Sequence, residues 1–317
     1  MRRTALALGV AAGYAADAAF GDPRRGHPVA GFGQAATRLE QRLWRDRRAA
    51  GAAFTALSAG SVALGAVAAE RAVRRSAVGQ VALAAAATWT VLGGASLVRE
   101  ARTIGSALEA GDLAAARERL PYLCGRDPRE LTEQQLARAV VESVAENTAD
   151  AVVNALTWGA LAGVPGLLAF RAVNTLDAMV GHRSARYLRF GWASARLDDV
   201  AGWPGARLTA LLTAAAAGGP QRRAESLRVW RRDASAHPSP NAGQAEAAFA
   251  GALGVQLGGT LTYGERVEHR PVLGRELRPV RVGDIERACV LSRRVGLLAA
   301  GLTAVAGAIR TRTRRQR

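Results

Sequence analysis

The sequence predicts an all-α, polytopic membrane helical bundle with helical and loop segments on the cytoplasmic side. Three observations point there. Long Ala/Val/Leu/Gly runs alternate with arginine-dense stretches, although the 317-residue average is bland, with 49% hydrophobic residues and near-zero mean hydropathy. Aromatic residues make up only 5%, too few for an ordinary soluble core and well suited to lipid-facing helices that pack through small residues. Two runs, 49–69 and 77–98, have the ~20 apolar or small residues needed to cross the hydrocarbon.

Taken in order, 4–21 is an apolar run after Arg2 and Arg3. A basic start and small residues near position 18 also fit a signal peptide. Asp17 interrupts the run and no polar mature start follows, which favours an uncleaved first helix. Runs 49–69 and 77–98 form a membrane hairpin about a loop holding Arg71, Arg74 and Arg75. Segment 99–140 is soluble in character: Leu113–Leu120 reads as helix, Pro121 and Asp127-Pro128 mark turns, and Thr132 to Ser143 resumes a helix. The next apolar run, 151–170, contains Gly163, Pro165 and Gly166 and reads as a kinked span. Run 201–217 is a weaker candidate, 219–285 is polar, loop-rich and extramembrane, and 295–309 crosses obliquely or lies in the interface. One integral membrane domain is expected over 1–317.

Charge narrows the partners. The formal net charge of +17 is carried by arginine alone, since the chain has no lysine. The arginines are spread out and no recognised nucleic-acid motif accompanies them, so no nucleic-acid partner is expected. Anionic membrane lipid and anionic substrates fit better. Arg24, Arg25, Arg38, Arg42, Arg45, Arg47 and Arg48 outnumber the arginines of the hairpin loop, which places segments 22–48 and 99–150 in the cytoplasm. The lack of lysine excludes a strict Walker A loop, and there is no GxSxG or HExxH. Cys124, Cys289 and the four scattered histidines suggest neither a disulfide framework nor zinc.

Three polar stretches carry the chemistry. Glu142, Glu146, Asp150 and Asn154 follow an i,i+4 row on an uninterrupted helix. Like charges stacked there repel unless a cation intervenes, and Mg²⁺ held with substrate phosphates suits them; a solvated helix face is the plainer alternative. In the second stretch Asn174 and Asp177 share a helical face before Gly181, and Arg183, Arg186, Arg189 and Arg196 follow. Guanidinium forks suit phosphate oxygens, while membrane-edge anchoring serves equally for Arg189. The third stretch, Arg196-Leu-Asp198-Asp199, either holds a cation or caps a helix. Two Pro/Gly loops add Asp22 and His27, and His237 and Asn241.

Together these strings resemble the cobalamin-biosynthesis CobD/CbiB family, the adenosylcobinamide-phosphate synthases. The matching pieces run colinearly over about 17–260: Asp17 with Gly21-Asp22-Pro23 and His27-Pro28-Val29, then Glu142-Ser-Val-Ala-Glu-Asn-Thr-Ala-Asp150 and Asn174-Thr-Leu-Asp177-Ala-Met-Val-Gly181. They continue through Arg186-Tyr187, Phe190-Gly191, Ala195-Arg196-Leu-Asp-Asp199 and Ala206-Arg207-Leu208 to Ser239-Pro240-Asn241-Ala242-Gly243 and Ala250-Gly-Ala-Leu-Gly254. His182 stands where an aromatic is expected, and Gln244-Ala245 replaces a Trp-Pro pair. The resemblance implies an amide-forming enzyme of the inner membrane that joins adenosylcobyric acid to an aminopropanol phosphate. It also implies ATP and Mg²⁺, and contacts with other enzymes of the corrinoid pathway.

Residue chemistry then suggests roles. Glu142, Glu146 and Asp150 are expected to hold Mg²⁺. Arg183, Arg186 and Arg196, with Asn174, Asn241 and Asp22, are expected to bind substrate or phosphate. Asp177, Asp198 or Asp199, with His27 and His237 as alternatives, would accept the proton of the attacking ammonium. A membrane transporter predicts an internal hydropathy repeat, which the two halves lack. A non-catalytic AmpE-like relative predicts loss of the acidic motifs, which are present.

Overall fold

The computed structural model describes residues 3–23, 26–263 and 266–309; Arg2, Arg24, Arg25 and the arginine-rich tail lie outside the described residues. The first helices are α1 (Arg3–Phe20), α2 (Pro28–Leu43), α3 (Arg48–Ala72), α4 (Ala77–Val91), α5 (Gly94–Glu109) and α6 (Leu113–Arg119). They are followed by α7 (Glu133–Thr148), α8 (Asn154–Leu176), α9 (Trp192–Ala216), α10 (Pro220–Asp233), α11 (Ala242–Leu253), strands β1 (Leu257–Tyr263) and β2 (Arg266–Leu273), and α12 (Asp284–Ile309). Four stretches are long and apolar enough to cross a membrane: Arg48–Ala72, Ala77–Glu109, Glu133–Gly181 and Asp284–Ala306, with Thr4–Phe20 a shorter apolar helix. Leu57, Leu64, Val78 and Leu161 stand exposed on them, as expected of side chains that face lipid.

The chain groups into two compact units. The first holds 1–93, 154–204 and 299–317. In it, Gly9 and Gly13 of α1 form a G-x-x-x-G step that lets the backbone close on α4. A Cβ on Gly9 would collide with Ala84, and one on Gly13 would come within 2.5 Å of the Ala85 carbonyl and of Thr88. Both pairs advance in the same direction, so α1 and α4 run parallel. Small residues make such close helix contact possible in lipid.

The 151–170 run is more sharply bent than a kinked span. Gly163 has φ 69° and ψ −154°, a region essentially reserved for glycine. A Cβ on Gly166 would lie 2.5 Å from the Trp158 carbonyl, and one on Gly159 would lie 3.0 Å from Leu167. Residues eight apart in a continuous helix are separated by about 12 Å, so the chain doubles back at Gly163. The second arm then runs antiparallel to α3. Glu70, near the end of α3, accepts the Val164 N–H at 3.2 Å, while Ala172, Val173 and Leu176 pack with Phe54 and Ala59 nearer its start. Glu70 thus caps the second arm from another helix, and Pro165 sits in its first turn, where a missing N–H is harmless.

The second unit holds 94–153 and 205–298. A capping box starts α7: the Gln135 N–H donates to Thr132 Oγ1 at 3.3 Å, and the Thr132 N–H donates to Gln135 Oε1 at 2.8 Å. The stretch 219–285, expected to be loop-rich with a small-residue helix around Glu246, contains that helix as α11, together with α10 and an antiparallel hairpin with a bulge at Gly258/Gly259. Every residue of α11 is buried, as suits a helix of small residues with no polar face. The hairpin is tied to α10 by the Gly274 N–H on Asp233 (2.7 Å) and by Glu276 between Arg228 and Arg232.

Candidate active site

The polar residues singled out in the sequence fall into two constellations, one in each unit. In the first unit, Asn174 Nδ2 donates to Asp198 Oδ1 at 3.3 Å, and Arg171 reaches Asn174 Oδ1 at 3.5 Å. α8 ends in a π turn over Asp177–Gly181. Gly181 has no Cβ because the Asp177 carboxylate occupies that space, so the glycine sets where the carboxylate can lie. Arg196 and Asp199 form a 3.5 Å pair with Arg196 well exposed, and such surface pairs contribute little to stability. Arg183 is exposed.

Asp22 and His27 are positioned by the start of α2. His27 Nδ1 accepts the Val29 N–H (3.1 Å) as a helix cap, and Nε2 faces Asp22 at 3.5 Å. With Nδ1 an acceptor, the proton of a neutral ring sits on Nε2 toward the carboxylate. Arg186 is committed differently from the phosphate role expected of it. Its guanidinium donates to buried Glu40 at 2.9 Å, stacks on Trp44 and lies near Tyr187, whose hydroxyl also reaches Glu40 at 2.9 Å. This clamp fixes the 182–191 loop against α2.

The second unit holds a buried network of carboxylates and guanidiniums. Glu142 Oε2 accepts from Arg126 Nη2 at 2.7 Å, and Oε1 accepts the Gly258 N–H at 2.6 Å. Arg138, one turn earlier, lies 3.8 Å from Glu142. Glu146, one turn beyond Glu142 and exposed, lies within the field of Arg270, Glu142 and Arg126. Glu246 on α11 and His237 approach at 3.8 Å, and Arg270 lies 3.3 Å from His237 Nε2. Burial, reinforced by Glu142 and Glu146, pushes the Glu246 carboxyl well above the usual carboxylate range. Burial and the Arg270 charge push the His237 imidazole below its ordinary value. Asn241, at the start of α11, accepts from Arg207 at 3.2 Å.

The expected row of acids does not run straight. Residues 149–153 form a π turn, which closes five residues back instead of four. Glu142 and Glu146 precede it and stay in register; Asp150 and Asn154 are turned off their row. Nor does the set fit a protein-bound Mg²⁺. Both Glu142 oxygens are already engaged, and among the described residues no three His, Cys, Asp or Glu side chains are placed to hold a metal ion.

Sequence reasoning passed over Arg126, Arg138, Arg270 and Glu40, whose partners lie far away in the chain, apart from the i,i+4 spacing of Arg138 and Glu142. It also passed over a short repeat. Asn147-Thr-Ala-Asp150-Ala-Val-Val and Asn174-Thr-Leu-Asp177-Ala-Met-Val share one pattern, and a π turn falls on each.

A helical chain with membrane-length apolar stretches and two polar constellations built on colinear motifs defines a class: a polytopic helical membrane protein. A family model described as CobD/Cbib protein matches residues 10–292. The chain is 55% identical over 290 residues to the cobalamin biosynthesis protein CobD of Mycobacterium tuberculosis, covering 90% of this chain and 91% of that one. It is 44% identical to that of Pelobacter propionicus (83% and 84% covered) and 40% identical to that of Rhodobacter capsulatus (90% of each). No solved structure matches it. The chain belongs to the CobD/Cbib family of cobalamin biosynthesis proteins.

Proposed function

We propose that the protein is an adenosylcobinamide-phosphate synthase, a carbon–nitrogen ligase of the inner membrane with its site on the cytoplasmic side. Family membership over nine-tenths of the chain carries this reading. The arginine-dense segment through Arg38 and Arg48 supports the orientation. Adenosylcobyric acid and an aminopropanol phosphate are the substrates, and ATP with its Mg²⁺ is the co-substrate. A carboxylate and an ammonium only form a salt at neutral pH. Transfer of the γ-phosphoryl group to the corrinoid carboxylate gives an acyl phosphate and ADP. The amine then adds to the acyl carbon, the C–N bond forms, inorganic phosphate leaves, and the surplus proton passes to a carboxylate.

The first unit supplies groups of the right kind. Asp177 and Asp198, beside Asn174, are proton acceptors, and the exposed Arg183 and Arg196 are phosphate ligands. Membranes containing the protein, given labelled adenosylcobyric acid and aminopropanol phosphate, should form the amide only with ATP. Uptake without conversion would favour a transporter. Neither uptake nor conversion by folded protein would favour a non-catalytic relative.

A further inference from the structure

The second unit contains a cavity of about 120 Å³ between the first turns of α7 and the start of the hairpin. Gln134 and Arg138 line it from α7, Gln256 and Gly258 from around the start of β1, Val272 from β2 and Val280 from the segment before α12. Arg138 is the one charged residue in this lining. Its carboxylate neighbour Glu142 is shared with Arg126. The backbone makes room for the guanidinium: Gly259 has φ +89°, and a Cβ there would come within 3.1 Å of Arg138 Nη1.

The cavity opens to solvent, and about 120 Å³ is room for a phosphate group with a short amine-bearing chain. The Arg138 guanidinium in the lining suits phosphate oxygens, and the Gln134 and Gln256 amides are of the kind that accept from an ammonium. We infer that this cavity is the subsite for a small phosphomonoester carrying an amine. Its identification with the aminoalcohol phosphate rests on the synthase reading; its chemistry as an anion site does not.

The test uses the full chain in detergent, with aminopropanol phosphate and inorganic phosphate as probes followed by ³¹P line broadening. Saturable binding of aminopropanol phosphate, competed by inorganic phosphate, is expected. Gln134→Glu puts a carboxylate on the exposed rim without touching the core, and Arg138→Gln removes the cation. Each should weaken binding by about tenfold or more, and Arg138→Lys should recover part of it. In turnover, KM for aminopropanol phosphate should rise in Gln134→Glu while KM for the corrinoid stays unchanged. Undiminished binding in both Gln134→Glu and Arg138→Gln overturns the subsite, as does a wild-type protein that makes amide but shows no change in either KM on Gln134→Glu. Cavity-dependent binding in a protein that makes no amide from any corrinoid supports the subsite and removes the synthase reading alone.

Discussion

Residues 147–153 and 174–180 carry the same Asn-Thr-x-Asp-Ala-x-Val pattern, and the structure treats them alike locally and differently beyond. In both, the threonine hydroxyl bonds the carbonyl four residues back, Thr148 to Val144 at 2.6 Å and Thr175 to Arg171 at 2.7 Å. Such back-bonding loosens a helix, and a π turn follows each time. Beyond that turn the two part. Thr148 is fully buried and touches Ser292 at 2.6 Å, six residues past Glu142 of the Glu142–Arg126 pair. Thr175 is only partly buried, and its neighbour Asn174 reaches Asp198 at a half-exposed polar end. One short pattern therefore makes a helix defect in either place. Surroundings decide whether the defect braces a core or presents a carboxylate.

The largest way to break the comparison is at Glu142. Glu142→Gln leaves Arg126 buried beside a neutral partner, and breaking a buried pair in this way costs about 3–5 kcal/mol. Thermal unfolding in detergent should show it, whereas Asp198→Asn in the other constellation should leave the melting temperature nearly unchanged and act on turnover. Next in size is Gly181→Ala, which displaces the Asp177 carboxylate from the space it occupies over the glycine. Turnover should fall by about tenfold or more, since small misplacements at a reacting centre are costly, with little change in melting. An unchanged rate would remove Asp177 from the proton-accepting role.

The paired threonines give a smaller contrast. Thr148→Val should cost about 1–2 kcal/mol through its buried bonds, and Thr175→Val about 0.5 kcal/mol or less. Equal losses would mean that surroundings do not separate the two segments. The pH dependence is the finest test, because two neighbours pull in opposite directions. His237 is held below its ordinary value, so the unfolded chain binds more protons and stability falls as pH drops below about 6.5. Glu246 is held above its ordinary value, so the folded chain binds more protons and stability falls as pH rises. Glu246→Gln should therefore leave a melting temperature that rises with pH between about 5.5 and 7.5, and His237→Gln should leave one that falls.

Much of the fold was legible because it follows local rules. The apolar runs at 49–69 and 77–98, the helix resuming at Thr132 and the first apolar helix all appear as α3, α4, α7 and α1. What escaped depends on distant partners or on one backbone angle. Arg126 and Arg270 join the acids from loops and strands with no spacing to reveal them. The π turns were hidden because Glu142, Glu146, Asp150 and Asn154 fit an uninterrupted helix on paper; the repeated Asn-Thr-x-Asp was the available signal. The polar motifs were legible as a set, while their division between two units was not.

The doubling back at Gly163 has a consequence for arithmetic. An apolar stretch that enters a bilayer and returns adds an even number to the tally of crossings, and Asn154 and Leu176 are then expected on one face of it. A count made from hydropathy would score that stretch as one passage and invert the sidedness of every later segment. Reporter fusions at 150 and 182 should therefore give the same sidedness, and opposite signals would show that the stretch crosses.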